Sequence, residues 1–115
     1  MKILIDCKLE NLNELISNNR INKYRGATHK TKEMDLIKYF LRGVPKIEKY
    51  PIKLNCIWHV KNINSDLDNK ILKNVLDAMQ KVGILENDNI SHIQEINNKA
   101  VKGKKDYLEI EIKEM

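Results

Sequence analysis

The segment Ser65-Asp66-Leu67-Asp68-Asn69 brings two carboxylates and an amide within four positions, and what they can do depends on the backbone that carries them. In a helix, Asp66 and Asp68 would lie about 200° apart around the axis and could not share a ligand. In an extended segment, residues i and i+2 fall on one side. The expected placement is therefore the end of a strand, with both carboxylates facing the same way and Asn69 at or near the N-cap of the next helix. Two hard oxygen donors so close together suit Mg²⁺ or Mn²⁺, which take few protein carboxylates and complete their shell with water and phosphate. The structural alternative is that Asp and Asn ahead of a helix act only as caps and as partners of its macrodipole.

More donors follow downstream. Lys73 lies one helical turn after Asn69, and Asp77 one turn further. They form either a surface i,i+4 pair contributing roughly 0.3 kcal/mol, or a lysine aimed back at whatever the carboxylates hold. Glu86-Asn87-Asp88-Asn89 then sets a second acidic cluster in a loop. A helix over 69–82 rises roughly 20 Å, and the six residues 83–88 reach back about 20 Å when extended, so the later cluster can just return to the earlier one.

Asp66-Leu67-Asp68-Asn69, Lys73, Leu76-Asp77-Ala78-Met79 and Gly83-Ile84-Leu85-Glu86-Asn87-Asp88-Asn89-Ile90 occur in an order that closely resembles the RusA-type Holliday-junction resolvases, small endonucleases common in phages and prophages. The run from Leu12 through Ala27 also looks like the helical lead-in of phage members, so the likeness spans most of the chain. The interval Asn69–Lys73 is one residue longer than in the best-known members. The third acidic site, often Asp-Asp in the family, here reads Asn87-Asp88. The resemblance implies that Asp66, Asp68 and Asp88 bind Mg²⁺, for which Mn²⁺ can substitute, that Lys73 is the catalytic lysine, and that Glu86 assists from behind. It also implies a homodimer acting on four-way or branched DNA, with no small-molecule cofactor. Phosphodiester hydrolysis needs an activated water, compensation for phosphoryl charge and support for the departing 3′ oxygen, all of which carboxylate-held Mg²⁺ can supply. Lys73 would offset charge at the scissile phosphate. A two-fold junction requires two matched cuts, hence two copies of the chain.

DNA must be held against repulsion from those carboxylates. Arg20, Lys23, Arg25, Lys30 and Lys32 place five cations in 13 residues with no acid among them, and Tyr24 interleaves. Such a run suits phosphate contacts, which give affinity and salt dependence without reading sequence; the alternative is a solvated helix face. The rival for the whole chain is a non-catalytic DNA-binding or regulatory phage protein whose acids are helix caps.

The elements that must position these residues follow from periodicity. Alternation predicts strands over about 2–8, from Ile52 to Lys61, and through Leu108, Ile110 and Ile112. Lys102-Gly103-Lys104-Lys105 reads as the turn of a hairpin whose first arm covers about 91–100. Between the first two strands, 11–43 reads as two helices broken near Asn18-Asn19 or Gly26 and closed at Gly43. A stronger apolar stripe, Ile71, Leu72, Val75, Leu76, Ala78, Met79 and Val82, ends at Gly83. The expected fold is one α+β domain over 1–115, β-α(α)-β-α-β-β, with helices packed against a small mixed sheet.

Length and composition agree with one domain. The chain has 115 residues, 42% of them apolar, enough to bury a core. It begins with no secretory signal and has no membrane span, so a cytosolic place is expected. Cys7 and Cys56 lack CxxC spacing and are expected to be buried free thiols. Residues 1–60 carry a surplus of +6 and residues 61–115 a deficit of −1, which predicts one surface for a polyanion and another for a cation. Eighteen of the 21 basic residues are Lys, a bias that AT-rich coding alone would produce. His59 is expected at a strand edge beside an inward Trp58, His29 and His92 at the surface, and Met79 in the core.

Overall fold

Strict alternation over Ile52-Lys53-Leu54-Asn55-Cys56-Ile57-Trp58-His59-Val60 makes this strand, β2, the centre of the fold: Ile52, Leu54, Cys56, Trp58 and Val60 are buried, and the residues between them are half-exposed. The computed structural model describes residues 1–9, 11, 14, 16, 17 and 23–115, the side chains of residues 23–29 excepted. In chain order the elements are β1 (Lys2–Ile5), α1 (Lys23–Phe40), β2 (Ile52–Val60), α2 (Lys73–Lys81), β3 (Ile93–Lys102) and β4 (Tyr107–Glu114). A 3₁₀ turn at Leu67–Asn69 lies between β2 and α2. Among the described residues no helix is long and apolar enough to cross a membrane.

The four strands form one mixed sheet in the order β1-β4-β2-β3. β4 is antiparallel to both its neighbours, and β3 runs parallel to β2. The expected hairpin of β3 with β4 is therefore corrected: the two strands flank β2 on opposite sides. Burial gives the physical reason. β4 sets Leu108, Ile110 and Ile112 into the core and can occupy an interior position. Of β3 only Ile93 is buried, so it suits an edge whose outer groups meet water. Gly103 turns the chain across the end of β2, where its N–H donates to the Val60 carbonyl at 2.8 Å.

Both helices cover one face of the sheet. Met34, Ile37 and Leu41 of and just beyond α1 meet Val75, Leu76, Ala78 and Met79 of α2 in a core shared with Ile3, Ile5, Leu54 and Ile110. α1 continues through Gly26 without a break, and the alternative break at Asn18-Asn19 lies outside the described residues. A single helical glycine costs about 1 kcal/mol, which the burial of Ile37 and its neighbours outweighs. α2 ends as its sequence predicts. Gly83 takes φ +82°, its N–H donates to the Gln80 carbonyl, and the Ile84 N–H reaches back to the Met79 carbonyl at 2.9 Å. The opposite sheet face is a lattice of polar pairs. Asn55 donates to Glu111, holding that carboxyl below its usual range, and Asn97 donates to Asn55.

Candidate functional site

The segment after β2 departs from the expected extended run. β2 stops at Val60, and Asn62 then builds a turn by accepting the Asn64 N–H on its side chain and the Ser65 N–H on its carbonyl. Asp66 is extended (φ −86°, ψ 128°), but Asp68 already sits in the 3₁₀ turn, so strand alternation does not align the two carboxylates. The expected helix start near Asn69 is corrected as well. Lys70 is extended, Leu72 occupies the N-cap position, and α2 begins at Lys73. Leu72 is buried and anchors this approach, which explains why the chain delays the helix until its apolar stripe meets the core.

The capping explanation of the acids finds no hydrogen bond. Asp66 stands at the N-cap of the 3₁₀ turn without a side-chain cap bond, and no side chain caps α2. Asp66 and Asp68 are exposed, and their carboxylates make no hydrogen bond or ion pair among the described residues. The Lys73–Asp77 pair is also absent. Asp77 instead pairs with Lys30 of α1 at 3.1 Å, leaving the Lys73 ammonium exposed and unpaired among the described residues. A lysine in the first turn of a helix is opposed by the macrodipole by about 0.3–1 kcal/mol, so its local setting does not explain its presence.

In the later loop the asparagines do the structural work. Asn87 accepts the Asn89 N–H at 3.1 Å, and Asn89 accepts from the Ser91 hydroxyl and bonds the His92 ring. Asp88 between them is exposed and has no partner among the described residues. Glu86 lies 3.9 Å from His92 Nε2. His92 is thus not a free surface residue as expected: its side chain is 20% exposed and its ring packs edge-on against Tyr50.

Asp66, Asp68 and Asp88 have the donor chemistry that Mg²⁺ takes, but within one chain they do not fit it as a set. Among the described residues no three acids, histidines or cysteines are grouped so as to hold a metal ion. Topology supplies the reason. In the parallel β2–β3 pair Ile52 is opposite Ile93 and Val60 opposite Lys102. Asp66 and Asp68 follow the outgoing end of β2, whereas Asp88 precedes the start of β3, at the other end of the sheet.

Of the five basic residues proposed for DNA, Arg20 lies outside the described residues, and Lys23 and Arg25 fall on α1 where side chains are not described. Lys30 is engaged by Asp77, while Lys32 is exposed. Trp58 is inward as expected, with its indole N–H donating to Asn98 at 2.9 Å. His59 stacks on Tyr107 with centroids 3.9 Å apart and meets Glu109 at 2.8 Å, so its ring is held by structure. Met79 is fully buried. Both cysteines are free, Cys56 buried and Cys7 half-buried. Burial pushes the Cys56 thiol up to about 12. Burial, helped by Glu33 and Asp6, pushes Cys7 up to about 11. Both therefore stay protonated at neutral pH and are poor nucleophiles.

One feature escaped the sequence. Lys8, Lys61 and Lys70, from three separate segments, line a single cleft beside Ser65. No spacing could have signalled it. Against models of known protein families the chain gives no match, and no curated protein matches it.

Proposed function

We propose that the chain is a divalent-metal-dependent endonuclease of the RusA type, working as a homodimer that nicks four-way or otherwise branched DNA in pairs. The observation that carries this reading is the idleness of the motif. Asp66, Asp68, Lys73 and Asp88 are exposed, and the side chain of none has a cap, ion-pair or hydrogen-bond duty among the described residues. Four charged side chains without structural employment, in the order of a nuclease motif, are better explained by a ligand than by the fold. Lys73 would set its ammonium against the charge of the scissile phosphate, and Lys32 with the basic start of α1 would hold the flanking backbone.

The second reading, a non-catalytic DNA-binding or regulatory module, is favoured by one observation: the three aspartates are not gathered in a single chain. One experiment separates the two. A labelled four-way junction is incubated with the protein and Mg²⁺, with the protein and EDTA, and with Asp68→Asn and Mg²⁺. The endonuclease nicks only in the first arm, and Asp68→Asn retains or gains affinity because it removes a charge that repels DNA. Binding in all three arms without nicking in any establishes the module instead.

A further inference from the structure

The cleft beside Ser65 combines charge, shape and position. Lys8 follows β1, Lys61 is the first residue after β2, and Lys70 follows the 3₁₀ turn, yet all three line the same open cleft. Asn62 and Ser65 add neutral donors, and among the described residues Asp106 is its only acidic lining residue. Asp106 is turned to local use, its carboxylate accepting the Lys61 backbone N–H at 3.1 Å. The three lysine side chains have no ion pair among the described residues. Three lysines against one lining carboxylate among the described residues leave the cleft with a net positive charge, which raises the local anion concentration. Such an arrangement is stabilised when an anion enters.

Position selects the anion. Ser65 and Lys70 line the cleft and flank Asp66–Asn69 in the chain, so whatever fills it touches both ends of the segment that carries the two carboxylates, although neither carboxylate lines it. The cleft is polar and open to water, which suits a sugar–phosphate chain passing through it better than an enclosed apolar ligand. We propose that Lys8, Lys61 and Lys70 form a phosphodiester-binding cleft that seats one DNA strand next to Asp66 and Asp68. This deepens the endonuclease reading and rests on its DNA substrate, but not on cleavage.

The test measures binding without metal, so that it does not depend on turnover. Junction affinity is followed over a salt series, in EDTA, for the wild type, for Lys8→Ala/Lys61→Ala/Lys70→Ala, and for a charge-matched control, Lys46→Ala/Lys49→Ala/Lys81→Ala. The cleft variant is expected to bind at least about tenfold more weakly and to lose roughly 2.7 from the log–log salt slope, 0.9 for each phosphate contact. The control should keep most of its slope. Independently of any variant, amide resonances of Lys61, Ser65 and Lys70 in the wild type should move on adding a short oligonucleotide. They should stay in place when inorganic phosphate is added at the same phosphate concentration. Equal behaviour of the two variants, still amides, or equal shifts with inorganic phosphate each overturn the cleft. If affinity drops as stated but the wild type never nicks, the cleft stands and the endonuclease reading falls. Nicking with unchanged affinity in the cleft variant gives the reverse.

Discussion

An exposed aspartate whose side chain bonds nothing contributes little to folding, so under the proposed reading its replacement should affect activity and not stability. Asp66, Asp68 and Asp88 are all of this kind among the described residues, while their neighbours Asn62, Asn87 and Asn89 supply the turn-forming hydrogen bonds. Replacing each aspartate by asparagine should therefore change unfolding free energy by no more than about 0.5 kcal/mol. A true N-cap exchanged for alanine would instead cost about 1 kcal/mol. Chemical denaturation of Asp66→Asn, Asp66→Ala and Asp88→Asn measures this directly. A loss of 1 kcal/mol or more in Asp66→Ala returns the residue to the cap role. The same variants should abolish nicking, so stability and activity part company at these positions.

Between elements, two polar contacts of different worth join the helix pair among the described residues. Asn74 of α2 is 9% exposed and donates to the Glu33 carboxylate of α1 at 2.7 Å. The Lys30–Asp77 pair beside it is 3.1 Å long, but its side chains are 40% and 26% exposed. Truncating a buried partner of a charged group costs about 1–3 kcal/mol, whereas a solvent-screened ion pair contributes at most about 1 kcal/mol. Asn74→Ala should thus lower the denaturation midpoint more than Asp77→Ala, with m unchanged in both; the opposite ranking would show that the ion pair, not the amide, holds the helices. Much of this layer is legible in the sequence because its signals are local. The alternation of Ile52–Val60, the stripe from Val75 to Met79 and the stop at Gly83 each lie within one element. What was not legible is pairing at a distance. Gly103 suggested a hairpin, yet the polar outer residues of β3 place it at an edge beside β2. Likewise Asp77 sits four residues from Lys73 but pairs with Lys30, 47 residues away. The site divides in the same manner: its residue types were readable in order, while their separation and the three-segment lysine cleft depend on the tertiary course of the chain.

At the scale of the molecule, parallel pairing of β2 with β3 obliges the connection to leave one end of the sheet and return to the other. Asp66 and Asp68 belong to the departure and Asp88 to the return, so on the proposed reading a single copy presents two partial sets of donors. Two-fold symmetry offers a way to complete them, since the departure segment of one subunit can face the return segment of the other, twice over. Mixing inactive variants tests that arrangement. In a dimer of one Asp68→Asn chain and one Asp88→Asn chain, a site shared across the axis leaves one of its two copies intact. A site confined to one chain leaves both defective. Random pairing makes half the dimers mixed, so an equimolar mixture should recover about a quarter of the wild-type sites and produce single nicks rather than resolved junctions. Each variant alone should stay silent under the same conditions. A silent mixture, with subunit exchange verified by mass-tagged chains, would place the whole donor set within one chain and remove the dimer axis from the site.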